Sequence, residues 1–232
     1  MTSPQNWARA AGLLYLFNIV ASVFTLATMR GLLVAGDAGQ TAANVLEAEL
    51  SFRLGYLAIV FAGVSYVAVV AILHELMKPA GATLSAIAAG LGLVGCAVGA
   101  ATSLNQIGAL LYLGDAAYLG AFDKSQLEAL ARLHLRAAGL GNTIALVFFG
   151  FYCLTLSALV FRAHFMPRWL GLLLLLAGLG WITGTIASIL APSLAIAGAL
   201  LPLSGLGEAL FTLWLVIMGV NTTKWREQAG FP

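Results

Sequence analysis

Six apolar runs, each of 20 residues or more and almost free of charge, follow one another along the 232 residues of this chain. A helix of about 20 apolar residues matches the roughly 30 Å hydrocarbon thickness of a bilayer. Inside that layer every backbone N–H and C=O must be satisfied within the segment, which leaves helices or closed barrels. Barrel strands are about ten residues long and alternate in polarity, unlike these unbroken runs. Composition agrees: 61% of residues are hydrophobic, 9% are charged, and mean hydropathy is +0.98. A water-soluble domain carries about 25% charged residues. The expected fold is therefore all-α, a polytopic membrane bundle forming a single membrane domain over residues 1–232.

The runs place six transmembrane helices, in three hairpins, at about 10–29, 54–77, 83–113, 137–161, 168–190 and 196–220. The first follows Arg9 and is too long for a signal-peptide core, so it is expected to be retained. An even number of spans puts both termini on one side. That side carries Arg9, Lys78, Arg162, Arg168, Lys224 and Arg226, close to the span ends and in short connections. The opposite side carries Arg30, Arg53, Lys124, Arg132 and Arg136 together with more acids. The short connections and their basic residues make the first side cytoplasmic under the positive-inside rule. The net charge of +2 and the lack of a basic run give no sign of a nucleic-acid partner. Cys96 and Cys153 both fall within apolar runs, where buried free thiols are expected.

Two connections on the non-cytoplasmic side look alike. Residues 36–53 and 114–136 each begin with Gly-Asp (Gly36-Asp37, Gly114-Asp115) and contain Leu-Glu-Ala. Each also holds a Glu–Arg pair at i,i+4, Glu49–Arg53 and Glu128–Arg132. Ser125 and Glu128 have capping-box spacing. Both stretches are expected to form short amphipathic helices on the outer surface. A duplicated hairpin or coincidence would each account for the likeness. The third connection, near Pro192, is short and uncharged. Gly95-x-x-x-Gly99 and Gly180-x-x-x-Gly184 are spaced for close helix approach.

Polar residues inside the spans fall on single faces. Asn18, Ser22 and Thr25 lie on span one; Thr102, Asn105 and Gln106 on span three; Trp181, Thr185 and Ser188 on span five; and Ser204, Glu208 and Thr212 on span six. Interhelical hydrogen bonds, worth about 0.6 kcal/mol each on average, are the ordinary expectation for such groups. Glu208 differs, because it is the one acid well inside a span. A charge at a helix centre costs about 2.5–3.5 kcal/mol on insertion scales. Neutrality, a buried cation or a wet cavity removes that cost. The cations at hand are Arg53 and Arg136 at span mouths, and His134 could join them. Pro202, Gly205 and Gly207 stand just before Glu208 and are expected to loosen the helix there, as beside many transporter sites. The candidate ligand-binding residues are Glu208, Arg53, Arg136, Asn142, Asn105, Gln106, His134 and Ser204.

No HExxH, CxxC or paired-carboxylate pattern is present, and GLGLVG at 90–95 lacks the strand and Lys of a phosphate loop. No metal and no cofactor is expected. His74, Glu75 and His164 are expected at the cytoplasmic face.

The stretches WARAAGLLYL, ELSFRLG, LVFFGFYCLTLSALVFRAHFMPRWLG and GEALFTLWLVIMGVN, in this order and spacing, resemble domain-of-unknown-function family forty-three eighty-six. The resemblance covers about residues 7–221. It implies a six-span protein of the bacterial inner membrane and brings no reaction with it. Asn142 departs from the Asp often found at that place in the family, which puts any shared acid role there in doubt.

Three functions follow from these residues. The first is a binding or transport bundle whose polar pocket around Glu208 takes a proton or a small or amphipathic ligand. The second in rank is a sensor or envelope-interaction protein with Glu208 structural. The third is a membrane enzyme on lipid or isoprenoid substrates, which lacks a second intramembrane carboxylate or an activated nucleophile. The expectation leans away from an enzyme, and membrane lipids are the expected surroundings.

Overall fold

An apolar run that cannot borrow hydrogen bonds from water closes them within itself. Accordingly, the computed structural model, which describes residues 3–191 and 196–230, contains helices and turns and no strand among those residues. The helices are α1 (Pro4–Met29), α2 (Ala38–Glu47), α3 (Glu49–Met77), α4 (Ala82–Tyr112), α5 (Lys124–Arg162), α6 (Arg168–Leu190), α7 (Ile196–Ile217) and α8 (Thr222–Gln228). Helices α1, α3, α4, α5 and α6 are long and apolar enough to cross a membrane. A sixth span results if the pair Pro202–Ile217 and Thr222–Gln228, bent by 101°, is taken as one. Five or six such helices are compatible with a multi-pass membrane bundle. The connection near Pro192 lies outside the described residues.

The connections that follow α1 and α4 differ from each other. Gly36 takes a left-handed φ of 79°, and Asp37 then caps α2 by accepting from the Gln40 N–H at 2.8 Å. Thr41, Ala42 and Val45 are the buried face of this separate ten-residue amphipathic helix. The second stretch is not a separate helix: residues 124–136 run without a break into the span as the 39-residue α5. No proline interrupts it, and Gly139 and Gly141 are tolerated inside. Its start is set by Asp123 and Gln126, not by Ser125 and Glu128, since Gln126 Oε1 accepts from the Asp123 N–H at 2.9 Å. Arg132 leaves Glu128 aside and donates to the Val34 and Asp37 carbonyls and to Thr41 Oγ1. The expected Glu49–Arg53 pair forms at 2.7 Å.

The chain divides into two compact units. The first comprises Met1–Phe17, Val64–Ala97 and Thr143–Pro232. Its core includes Tyr15, Leu73, Leu76, Met77, Tyr152, Leu159, Leu170, Leu174, Phe211 and Leu215. At one end of it Trp225 of α8 donates to the Leu76 carbonyl at 2.8 Å, and Gln5 bridges the Met218 carbonyl and the Val220 N–H. His74 is half-buried there, its Nδ1 3.0 Å from Ser85 Oγ, whereas Glu75 and His164 are exposed. The second unit comprises Asn18–Gly63 and Val98–Asn142. Leu32, Val45, Phe52, Ala109, Leu110, Ala131 and Leu135 form its apolar core.

Candidate functional site

Helix α7 sorts its residues by face. Ser204, Glu208, Phe211, Thr212 and Leu215 are buried, whereas Leu203, Leu206, Leu213 and Ile217 are exposed. The steps of three and four residues put the first set on one stripe. Glu208 thus points into the first unit. The loosening expected from Pro202 and the two glycines is absent, since α7 continues through Pro202. Gly207 has a packing purpose instead: a Cβ there would lie 2.9 Å from the Leu173 carbonyl oxygen of α6. At Gly12 a Cβ would lie 2.8 Å from the Val216 nitrogen, so α1 also approaches α7 closely. These glycines let side chains from α1 and α6 reach the carboxyl group.

Three helices besides α7 contribute donors to it. The Tyr15 hydroxyl of α1 donates to Oε2, and the Trp181 indole N–H of α6 donates to Oε1. The Cys153 thiol of α5 completes the set, 3.4 Å from Oε1. Tyr66 of α3 donates its hydroxyl to that of Tyr15 at 3.0 Å. The rings interlock edge to face, with centroids 5.0 Å apart for Tyr15–Tyr66 and 5.1 Å for Tyr66–Phe149. Such pairs add about 0.5–1.5 kcal/mol each beyond area burial. Among the described residues Glu208 forms no ion pair. A hydrogen bond to a charged group is worth about 1.5–3 kcal/mol, so the hydroxyl and indole donors offset part of the cost of burying this carboxyl group without a cation. Two buried hydroxyls in this unit, of Tyr152 and of Thr212 one turn beyond Glu208, have no hydrogen-bond partner.

Of the candidate residues, Ser204 shares the unit of Glu208 and donates to the Leu200 carbonyl at 2.9 Å. Arg53, Asn105, Gln106, His134, Arg136 and Asn142 belong to the second unit. Arg53 is engaged with Glu49. Gln106 reaches Met29 Sδ at 3.7 Å. The His134 Nε2 lies 3.1 Å from the Tyr112 hydroxyl, and its buried Nδ1 has no partner. Asn105 is half-buried, while Arg136 and Asn142 are exposed. The direct partners of Glu208 are therefore aromatic and thiol donors rather than the expected cations. Sequence reasoning passed over Tyr15, Tyr66 and Cys153 as partners. One signal was present for the tyrosines: they sit well inside apolar runs, where a hydroxyl must find a partner, and not at the interfacial belts. No group of three or more His, Cys, Asp or Glu side chains able to hold a metal occurs among the described residues.

Chemically, this site is an acceptor surrounded by donors. The indole N–H can only donate, so Oε1 must stay an acceptor. Tyr15 can both donate and accept, and it links Oε2 to Tyr66. A proton lodged on Oε2 can be donated to the Tyr15 oxygen if Tyr15 turns its hydroxyl towards Tyr66.

One curated relative, an uncharacterized protein of Archaeoglobus fulgidus, is 36% identical over 76 residues. Those residues are 32% of this chain and 43% of that protein, so the match spans less than half of the relative's length. No solved structure matches the chain. The family model described as "Domain of unknown function (DUF4386)" matches residues 10–219. With nearly its whole length matched in that way, the chain belongs to the DUF4386 family.

Proposed function

We propose that this protein is a membrane-embedded binding protein of transport type in which Glu208 takes up and releases a proton. One observation carries the reading: a buried carboxyl group bound by donors from three other helices, with no ion pair among the described residues. A proton on Oε2 gives the carboxyl an O–H of its own, so the Tyr15 hydroxyl can accept from it instead of donating to it. The proton state of Glu208 is thereby tied to contacts among α1, α3, α5, α6 and α7. A small or amphipathic ligand whose binding shifts those contacts is coupled to the proton by linkage. The reading also places the protein in the bacterial inner membrane with both termini cytoplasmic, supported by Lys78, Arg162, Arg168, Lys224 and Arg226 at helix ends. A fluorescent-protein fusion to the C-terminus tests this orientation, because it should fluoresce only if that end is cytoplasmic.

The same hydrogen bonds favour a second reading, in which Glu208 only pins helices together in a sensor or envelope protein. Trp181 separates the two, since its N–H contacts the carboxyl directly. In reconstituted protein, proton exchange predicts a pH-dependent change in tryptophan emission that both Glu208→Gln and Trp181→Phe remove. Emission that stays constant with pH, with Glu208→Gln lowering only the melting temperature, would leave the pinning reading in its place.

A further inference from the structure

The second unit carries a surface feature that the Glu208 reading does not use. A shallow groove of about 390 Å³ runs along the start of α5, lined by Phe122, Gln126, Ala129, Leu130 and Leu133. A second, of about 210 Å³, shares Ala129 and Leu133 and is also lined by Ala38, Arg132 and Arg136. Apart from Gln126, the first groove is apolar, and Leu133 and Phe122 are 59% and 48% exposed.

The two arginines at the inner end are not equivalent. Arg132 spends its guanidinium on the Val34 and Asp37 carbonyls and on Thr41. Arg136 is exposed and forms no ion pair among the described residues. The acid one turn before Arg132, Glu128, lies 3.8 Å from Lys124. Arg136 is therefore an uncommitted cation at the end of an apolar trough. From Gln126 to Arg136 the helix rises about 15 Å, and Phe122 lies beyond, a reach suited to one long acyl chain. The same helix face continues past Arg136 through Leu140 and Ile144, both more than half exposed. Exposed apolar side chains of α5 therefore lie on both sides of Arg136, Leu133 before it and Leu140 after it.

We infer that these grooves bind a single-chain anionic amphiphile of the long-chain fatty-acid type. Its carboxylate meets the Arg136 guanidinium, which suits the bidentate geometry of that pair, and its chain lies over Leu133, Ala129, Leu130 and Phe122. The inference does not rest on proton exchange at Glu208.

The test uses the full-length protein in zwitterionic phosphatidylcholine nanodiscs with a diazirine-bearing palmitate as probe. Photolabelling should concentrate on the peptide spanning residues 122–136. Oleate should compete, whereas oleyl alcohol and phosphatidylglycerol should not. Arg136→Gln should weaken labelling roughly tenfold, as expected for loss of one charge-assisted contact, and Arg30→Gln should leave it unchanged. Ala129→Trp, which fills an exposed position in the trough, should abolish labelling while the melting temperature holds. Equal labelling of all bilayer-facing peptides would overturn the inference, as would competition by the neutral alcohol or by the phospholipid. So would undiminished labelling of a folded Arg136→Gln or Ala129→Trp protein.

Discussion

The two units place polar groups in an apolar chain by opposite means. In the first, a single carboxyl group is taken inside and saturated by Tyr15, Trp181 and Cys153, with Tyr66 behind Tyr15. In the second, an apolar cluster around Phe52 forms the core, and charge is kept at the edge, as in the Glu49–Arg53 pair or the Arg132 contacts to backbone carbonyls. The first arrangement makes helix packing depend on the state of one side chain. The second rests on apolar packing and on hydrogen bonds that involve no buried acid. A chain that commits five helices to one ionisable group gains a switchable contact, and a chain that keeps its core apolar gains a fixed one.

That contrast can be broken first at its strongest point. Glu208→Leu leaves three donors without an acceptor, at about 1–3 kcal/mol for each buried unsatisfied group. Thermal unfolding in detergent should show the largest loss of any single change, roughly 3–9 kcal/mol by that count. A melting temperature equal to that of the parent protein would mean that the carboxyl group holds nothing together. Next comes Phe52→Ala, which empties a fully buried ring position in the apolar core and should cost about 3–5 kcal/mol. The same measurement checks it, and a loss below that of an exposed substitution would contradict the packing account. Tyr66→Phe removes the far hydroxyl of the chain but keeps the ring, so the loss should be only about 0.5–1.5 kcal/mol. Its sharper effect should be on the pH response of Trp181 emission, because Tyr15 loses the hydroxyl towards which it turns. Smallest of all, Arg53→Gln breaks a solvent-exposed pair and should change stability by about 1 kcal/mol or less. A larger loss would show that edge charges do carry structure.

Much of the architecture was legible because hydrocarbon-length runs have few alternatives. The end of the second span at 77 and both ends of the fifth at 168 and 190 coincide with Met77, Arg168 and Leu190 of the helices. Glu208 and its inward direction were legible too, since Ser204, Glu208 and Thr212 recur at one helical step. The continuous α5 was harder to see. Its charged first turns read as a surface helix, and only the absence of a breaker between residues 124 and 162 argues for continuity. Arg132 was assigned to Glu128 by local spacing, yet the carbonyls it reaches lie 95 and 98 residues away in sequence. The partners of Glu208 escaped for the same reason: Tyr15 is 193 residues away and Cys153 is 55. Spacing rules reach one helix turn, and these contacts depend on which helices become neighbours. The expectation that arginines answer a buried acid follows from charge alone, and it overlooked neutral donors that share the interior with it.

The central claim, that Glu208 is a proton-exchanging group inside a shell of donors, is tested most directly by infrared difference spectroscopy of the reconstituted protein between acid and alkaline buffers. The account predicts a protonated-carboxyl band that appears on acidification, vanishes in Glu208→Gln and shifts in frequency in Tyr15→Phe. A spectrum with no such band, or a band that persists unchanged in Glu208→Gln, would contradict it.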